Sequence, residues 1–212
     1  SKPGRYAGGE YGQIIKDKAC VKARFAFCFP DSYEIGMSNL GMRILYGVLN
    51  RAEDVWCERV YTPWEDMQQK MREHGLPLCA LESGDALGQF DFVGFTLQYE
   101  MCYTNVLRML QLGNIPLRAK DRGEEHPLVI GGGPCAYNPE PIADFFDLFN
   151  IGEGEDMLPE IVRLYIRMKE EGRYTRAAFL HEAARTIEGV YVPSLYRVTY
   201  HEDGTFEAYT PI

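Results

Sequence analysis

The sequence has 212 residues, of which 46% are hydrophobic and 25% charged, and this length suffices for one large domain with a buried core. Its formal net charge of −9 disfavours nucleic-acid binding by this domain, because such surfaces need an excess of Lys and Arg. No apolar run approaches the roughly 18 residues of a membrane-spanning helix, and the first residues lack a signal-peptide pattern. We therefore expect no membrane partner and a cytoplasmic location.

Six cysteines are spread along the chain, and no two of them have the C-x-x-C spacing of a tight zinc site. Without a secretory context, free thiols are the default state. We therefore expect neither disulfides nor a metal site from this set: Cys20, Cys28, Cys57, Cys79, Cys102 and Cys135.

Short apolar runs bounded by turn residues predict the strands, after a polar, glycine-rich arm over residues 1–22. A hairpin is expected over residues 195–210, around the turn pair Asp203-Gly204. The strands are expected at residues 23–30, 55–61, 91–98, 127–133 and 147–154, with a short extra one at 76–83.

Helical spacing of apolar residues marks the segments between these strands. A capping box, Thr62-Pro63-Trp64-Glu65, predicts the start of a helix that ends near Gly75. The last long helix has an acidic first turn and a basic end, which suit the helix dipole, and Gly172 follows it. The apolar faces are expected to be Met37, Leu40, Ile44 and Val48; Val106, Leu107 and Leu110; and Met157, Ile161, Leu164 and Met168.

The alternation of strands and helices predicts an α/β fold. We expect a Rossmann-like, doubly wound parallel five-stranded sheet of the flavodoxin-like order 2-1-3-4-5, with a C-terminal β-hairpin. The expected division is an arm at 1–22, a Rossmann-like domain at 23–190 and a hairpin or linker at 191–212.

Open α/β sheets bind ligands beyond the carboxyl ends of their strands, where the strand order reverses. Four segments of this chain follow predicted strands and are expected to meet at that edge of the sheet. They are residues 31–41, 98–102, 131–139 and 152–155.

Two of these segments are rich in glycine. Gly131-Gly132-Gly133 lets the backbone turn tightly or lets a ligand come close, and these two explanations have equal weight. The triplet fits neither the G-x-G-x-x-G dinucleotide fingerprint nor the G-x-x-x-x-G-K-[ST] phosphate loop. The second segment, Gly152-Glu153-Gly154-Glu155, opens a predicted helix, and acidic capping of that helix would explain it without a ligand.

These motifs follow one another in a distinctive order. A strand ending in Gly132-Gly133-Pro134 precedes Pro139-Glu140-Pro141, then Phe146-Asp147, then the segment 152–155. This order resembles the N-terminal cobalamin-binding-type domain of radical-SAM proteins. Two further stretches resemble one subfamily of that group: FDFVGFTLQYE at 90–100 and RYAGGEYG at 5–12.

The resemblance implies that this domain binds cobalamin and assists a radical-SAM enzyme. In that family the iron–sulfur cluster and SAM belong to a C-terminal radical-SAM domain, whose C-x-x-x-C-x-x-C motif is absent from this sequence. That domain would be the partner of this one, and no catalytic residue is expected here. The implied reaction of the longer protein is methyl transfer or modification of RNA or a metabolite.

Many cobalamin domains carry D-x-H-x-x-G after the first strand, where the histidine ligates cobalt. Here Asp31 and Gly36 match, but Tyr33 replaces the histidine, and a phenol with a pKa of about 10 is a poor cobalt ligand. The resemblance therefore implies cobalamin with its lower face unligated. Thr96 and Gln98 occupy a second family motif, Ser-x-Leu, and would hydrogen-bond a corrin amide or the nucleotide tail, unless they only satisfy the strand end.

The candidate cofactor-binding residues are thus Asp31, Tyr33, Gly36, Thr96, Gln98, Gly131, Gly132, Gly133, Pro134, Gly152, Glu153 and Gly154. Two hypotheses remain open for them. The domain either binds cobalamin or is a degenerate scaffold that binds none and docks substrate or other domains. A stand-alone flavin or nucleotide enzyme is a weaker third hypothesis, since the dinucleotide and Walker patterns are missing.

Overall fold

The computed structural model describes residues 2–212 and contains a six-stranded sheet and a separate two-stranded hairpin. The strand order in the sheet is β2-β1-β3-β4-β5-β6, with β1 to β5 parallel and β6 antiparallel. The α/β class, the order 2-1-3-4-5 and the hairpin are confirmed, whereas the number of strands in the sheet is six instead of five. The strands are β1 (Ala23–Phe29), β2 (Val55–Tyr61), β3 (Phe92–Thr96), β4 (Leu128–Gly132), β5 (Leu148–Asn150), β6 (Val190–Tyr191), β7 (Tyr196–Tyr200) and β8 (Phe206–Pro211).

Residues 2–212 form six α-helices, which cover both faces of this sheet, so the fold is doubly wound. Helices α1, α2, α5 and α6 pack on one face, which we call the α2/α5 face, and α3 and α4 pack on the other, the α3/α4 face. None of the helices in residues 2–212 has the length and apolar character needed to cross a membrane. The helices are α1 (Tyr33–Ser38), α2 (Leu40–Asn50), α3 (Glu65–His74), α4 (Tyr103–Leu112), α5 (Gly154–Glu170) and α6 (Arg176–Thr186).

Strand β1 shows how the sequence builds both layers of the core. Successive side chains of a strand point to opposite faces of the sheet. Phe25 and Phe27 therefore belong to the cluster on the α2/α5 face, while Ala26 and Cys28 belong to that on the α3/α4 face. A strand that is buried on both faces has a nearly continuous apolar sequence, and β1 is apolar except for Arg24, which is why the sequence predicts this strand.

The helix expected around residues 37–48 is two helices, α1 and α2, separated at Asn39. The backbone of Asn39 is extended, and its side chain accepts a hydrogen bond from Met42 N at 2.9 Å, so it caps α2. The buried face also differs from the prediction. Leu40 is 67% exposed and Ile44 40% exposed, and the residues that pack inward are Met42, Tyr46 and Leu49.

Two further local predictions are wrong. Thr62 does not cap a helix, because it continues the path of β2 and its N atom donates to Asp31 O at 3.0 Å. Helix α3 begins later, at Glu65, with Trp64 as its N-cap residue. The segment 76–83 forms no strand and contributes only an isolated bridge between Cys79 and Ala86. The end of α3 agrees with the sequence, since Gly75 adopts the left-handed conformation with φ of 63°.

Helix α6 and strand β6 have no counterpart in the sequence prediction. Thr175 caps α6 by accepting a hydrogen bond from Ala178 N at 3.1 Å. The helix returns the chain to the edge of the sheet, where Tyr191 pairs with Phe149 and Val190 with Asn150. Strand β6 thereby covers the edge of β5, and the predicted hairpin, β7 and β8, follows it.

The N-terminal arm packs against the side of the domain formed by α2 and β2. Trp56 Nε1 donates to Ile14 O at 3.0 Å, and Lys16 Nζ donates to Asn50 O at 2.9 Å and to Ala52 O at 2.6 Å. A cation at this position suits the negative end of the α2 dipole. These contacts hold the arm beside the outermost strand of the sheet.

Candidate functional site

A crevice of about 200 Å³ lies at the carboxyl end of the sheet, between its α2/α5 face and the helices α2 and α5. We call it the glycine crevice, because Gly94, Gly132, Gly133, Gly152 and Gly154 all line it. Its apolar walls come from the sheet on one side and from the two helices on the other: Phe25, Phe27 and Ile130, and Leu45 and Leu158.

The alternation of the strands explains why this depression exists. Residues two apart in a strand point to the same face of the sheet. Phe92, Ile130 and Leu148 pack on the α2/α5 face. The same face therefore carries the residues that follow them at every second position, which are Gly94, Thr96, Gly132 and Asn150. Thr96 pairs with Gly132 across β3 and β4. The Phe25 ring fills the space at Gly94, where a Cβ atom would lie 2.4 Å from it, so the sheet face is hollow only at Gly132.

The three consecutive glycines have three different roles. A Cβ atom at Gly131 would lie 2.7 Å from the Phe149 ring, on the α3/α4 face, so this glycine serves packing. A Cβ atom at Gly132 would face the glycine crevice, with its nearest neighbour, Asn150 Cβ, at 3.7 Å. Gly133 has φ of 95° and ψ of −175°, a conformation that is almost restricted to glycine. Only Gly132 therefore keeps space open for a ligand.

Asn150 is a buried polar residue of the glycine crevice that the sequence analysis did not single out. It is 4% exposed, and its Oδ1 atom has no hydrogen-bond partner among residues 2–212. Its Nδ2 atom donates to Gly152 O at 3.3 Å. A buried acceptor without a donor is unfavourable, so the crevice favours a ligand with an N–H or O–H group at this point.

Thr96 ends β3, Gln98 follows two residues later, and both line the glycine crevice. Gln98 Nε2 donates to Thr96 Oγ1 at 2.5 Å. The amide and the hydroxyl thus satisfy one another in part, which agrees with the alternative that these residues only satisfy the polar groups of the strand end. The Thr96 hydroxyl still has its own proton to donate.

Helix α5 begins at the mouth of the glycine crevice. Gly152 has φ of 148°, Glu153 is the N-cap residue without a side-chain capping bond, and the helix starts at Gly154. The carboxylates of Glu153 and Glu155 line the mouth and add hydrogen-bond acceptors to that of Asn150. This charge favours neutral ligand groups with donors, such as amides and hydroxyls, over anions.

The first-loop motif lies apart from the glycine crevice. Tyr33 donates a hydrogen bond to the Glu10 carboxylate and packs edge-on against the Tyr61 ring, with the centroids 5.5 Å apart. A Cβ atom at Gly36 would lie 2.3 Å from that same Tyr61 ring, so this glycine permits close packing of α1 on β2. Tyr33 therefore contacts both the arm and β2, and Gly36 contacts β2.

Asp31 and Pro134 also lie outside the lining of the glycine crevice. Asp31 accepts a hydrogen bond from the Tyr99 hydroxyl and thereby joins the loops after β1 and β3. This hydrogen bond is the largest of the effects that raise the pKa of Tyr99 to about 12. Pro134 begins a short 3-10 turn over Pro134–Tyr137. Of the twelve sequence-predicted residues, seven line the crevice: Thr96, Gln98, Gly132, Gly133, Gly152, Glu153 and Gly154.

The described chain, residues 2–212, has no cluster of three or more His, Cys, Asp or Glu side chains placed to hold a metal ion. Cys28 and Cys57 are buried, and burial raises the pKa of both thiols well above the usual range. These cysteines therefore behave as small core residues.

Comparison with known families identifies the family to which this chain belongs. Residues 41–193 match the family model described as "Radical SAM proteins, N-terminal", which is well over half of the chain. The chain belongs to this family. The match spans β2 to β6 and includes every glycine that lines the crevice.

Two individual proteins are similar to this radical-SAM N-terminal domain. An uncharacterized protein of Methanocaldococcus jannaschii is 28% identical over 142 residues, which are 65% of this chain and 26% of that protein. The solved structure of the radical S-adenosylmethionine methyltransferase TsrM from Kitasatospora setae, with tryptophan substrate and a SAM analog bound, gives a TM-score of 0.47 at 16% identity. That comparison covers 86% of this chain and 29% of TsrM. The chain thus spans less than a third of either relative.

Proposed function

We propose that this domain binds a corrinoid, cobalamin, in the glycine crevice and presents it to the C-terminal domain of a radical-SAM enzyme. The observation that carries the proposal is the unpartnered Asn150 Oδ1, buried beside the open position at Gly132. A ligand that enters the crevice and donates a hydrogen bond there would satisfy this atom.

The size of the crevice limits which part of the cofactor it holds. Its volume of about 200 Å³ is below the roughly 300–1,000 Å³ of sites that enclose a whole ligand. The crevice therefore suits one flat, uncharged group, such as the base of the nucleotide tail, between the sheet and α2 and α5. The macrocycle would remain outside, at the carboxyl edge of the sheet.

The polar residues at the mouth fit the chemistry of a corrin ring, whose rim carries neutral amides. Asn150 Oδ1 and the carboxylates of Glu153 and Glu155 accept hydrogen bonds from N–H and O–H groups, and Thr96 can donate one. These residues would bind and orient the ligand. When bound, cobalamin would supply a cobalt centre that can carry a methyl group.

In this proposal the cluster, SAM and the reaction belong to the C-terminal radical-SAM domain of a longer protein, which is the partner of the domain at residues 23–190. That domain would face the carboxyl edge of the sheet, because the glycine crevice opens there. Residues 191–212 would connect the two. The parent activity proposed is methyl transfer or modification of RNA or a metabolite.

Titration with hydroxocobalamin tests the binding. We expect a shift of its visible spectrum with this chain and with the full-length protein. Asn150→Leu, which removes the acceptor at similar volume, should weaken binding by up to about tenfold. Gly132→Leu, which fills the crevice, should abolish it. Gln111→Leu is the matched control, since Gln111 is exposed on α4 at the other face of the sheet. Absence of binding at high micromolar concentration in both proteins would rule the proposal out.

A second candidate function is a scaffold that binds no corrinoid and docks substrate or another domain. Its support is that Tyr33 replaces the usual histidine and that its hydroxyl bonds to Glu10, away from the crevice. The scaffold hypothesis predicts a cobalamin-free full-length protein whose activity survives Gly132→Leu. Loss of activity in a folded Gly132→Leu protein contradicts it.

A further inference from the structure

A second pocket is larger than the glycine crevice and shares no lining residue with it. Its volume is about 430 Å³, within the range of roughly 300–1,000 Å³ typical of small-molecule sites. The pocket is bounded by residues 5–7 of the arm, the end of β2, helix α3 and residues 76–84. We call it the arm pocket.

The walls of the arm pocket are mainly apolar. Val60, Met71 and Leu78 are buried there, and Met67 and Leu81 are partly buried. Unbranched methionine side chains adapt to ligands of different shape. Such a surface gains free energy when an apolar molecule displaces water from it.

The N-terminal arm closes one side of this pocket. The Arg5 guanidinium lies 4.6 Å from the centroid of the Trp64 ring, and Trp64 N donates to the Tyr6 hydroxyl at 3.2 Å. The backbone of Gly8 lies close to that of Leu81, because a Cβ atom at Gly8 would be only 2.5 Å from Leu81 O. Gly8 also has φ of 68°. The RYAGGEYG stretch thus contacts Trp64, which precedes α3, and Leu81. These contacts lie outside the glycine crevice.

Arg59 lines the arm pocket, and one nitrogen of its guanidinium is left without an acceptor. The guanidinium lies 4.7 Å from the centroid of the Tyr46 ring, and its Nη1 atom is 3.4 Å from Met37 Sδ. Arg59 is 7% exposed, and its Nε and N atoms both donate to the Glu82 carboxylate, at 2.6 and 2.7 Å. Its Nη2 atom has no acceptor anywhere in the part of the chain that the structure describes, residues 2–212. A buried guanidinium donor that lacks an acceptor is unfavourable and favours an acceptor from outside the protein.

The charges around the pocket indicate the class of ligand. Arg59 is already paired with Glu82, and Arg5 with Glu34 at 2.7 Å. A ligand carboxylate would lie beside Glu82, whose side chain is fully buried, and would be repelled by it. We propose that the arm pocket binds an uncharged, largely apolar small molecule that presents one hydrogen-bond-accepting oxygen to Arg59. This site goes beyond the proposed corrinoid function and does not depend on it.

Benzophenone is a suitable probe, because it is uncharged and apolar, has one carbonyl oxygen, and labels nearby C–H bonds under ultraviolet light. Calorimetry with this protein should give at least about tenfold tighter binding of benzophenone than of diphenylmethane, which lacks the oxygen. 4-Benzoylbenzoate, which adds a carboxylate, should bind more weakly than benzophenone. Mass spectrometry should place the photoadduct within residues 5–7 or 59–84.

Variants of α3 test the location of the site. Met67→Trp fills the pocket and should remove both binding and labelling, whereas Lys70→Trp, at an exposed position of the same helix, should leave both unchanged. If thermal unfolding shows that Met67→Trp is not folded, Leu76→Trp replaces it, since Leu76 lines the pocket and is 53% exposed. Hydroxocobalamin binding should be the same in all these variants.

Three results would overturn the inference. They are labelling confined to other parts of the chain, equal affinity for benzophenone and diphenylmethane, and tighter binding of 4-benzoylbenzoate than of benzophenone. Failure of the corrinoid proposal has a different signature, because it appears in the hydroxocobalamin titration and in the Gly132→Leu and Asn150→Leu variants.

Discussion

The hydroxyl of Tyr33 donates a hydrogen bond to the carboxylate of Glu10, which ties helix α1 to the N-terminal arm. Tyr33 also lines the arm pocket and packs against Tyr61 of β2. The residue that occupies the place of the usual cobalt ligand is thus held at the β2 side of the fold. It has a structural role that the sequence motif does not indicate.

A histidine at position 33 should therefore not become a cobalt ligand. We expect Tyr33→His to bind cobalt(II) cobinamide, which lacks the nucleotide base, without a nitrogen ligand from the protein. Electron paramagnetic resonance checks this, since a nitrogen ligand would split the cobalt signal. Tyr33→Phe is the control, and splitting found only in Tyr33→His would show that position 33 does reach the corrin.

Alkaline pH should weaken the tie between α1 and the arm. Burial and then the Glu10 carboxylate raise the pKa of Tyr33 to about 12, above the value of about 10 in an unfolded chain. The neutral phenol is thus favoured in the fold, so its contribution to stability is fully present below pH 10 and is lost as the pH rises through 12.

Urea unfolding at several pH values measures this contribution. Other tyrosines, such as Tyr46 and Tyr99, also have pKa values raised to about 12, so the test is the difference between wild type and Tyr33→Phe. The free energy of unfolding should differ most below pH 10, and the difference should shrink toward pH 12. A difference that does not change with pH would contradict the assignment of the shift to Tyr33.

Alanine substitutions should show that the three consecutive glycines contribute differently to the stability of the fold. Gly131→Ala overpacks the core against Phe149 and should lower the free energy of unfolding by about 1–3 kcal/mol. Gly133→Ala forces alanine into a glycine-only conformation and should cost about 1–3 kcal/mol. Gly132→Ala meets only ordinary contacts and should leave stability within about 0.5 kcal/mol of wild type. Urea denaturation checks the order, and a Gly132→Ala protein as unstable as Gly131→Ala would show that position 132 is not open.

The sequence predicts the framework of the fold because its signals there are local. Strand β1 is apolar except for Arg24, Gly75 ends α3 and Asp203-Gly204 forms the hairpin turn, and each of these is found. Around α2 the signal is ambiguous, because apolar residues occur on several sides of the helix. Asn39 was the available sign of a break, as an N-cap residue three positions before Met42.

The site depends on contacts between strands, and the sequence predicts it only in part. It locates the edge of the sheet and most of the glycines that line the crevice, because turns there require glycine. It does not distinguish Gly131 from Gly132, since the face of each depends on strand alternation and on Phe149. In the sequence, Asn150 resembles an ordinary residue at the end of a strand. Only the packing of β4, β5 and α5 shows that its side-chain oxygen is buried without a hydrogen-bond partner.

The Phe146-Asp147 pair belongs to the family pattern, yet Asp147 lies at the opposite end of β5 from the glycine crevice. Its carboxylate is 3% exposed and accepts hydrogen bonds from Val129 N at 2.7 Å, Arg122 Nη1 at 2.9 Å and Arg176 Nη2 at 2.9 Å. Asp147 therefore ties α6 and the loop before β4 to the sheet.

Asp147→Asn keeps the shape but leaves two buried guanidinium groups without their counter-ion. We expect it to lower the free energy of unfolding by about 3–5 kcal/mol, measured by urea denaturation. Asp144→Asn is the matched control, because the Arg118–Asp144 pair is 49% and 70% exposed and should contribute only about 0–1 kcal/mol. Equal effects of the two substitutions would mean that Asp147 does not stabilise the fold as inferred. Since Asp147 is remote from the crevice, hydroxocobalamin affinity of the folded Asp147→Asn protein should equal that of wild type.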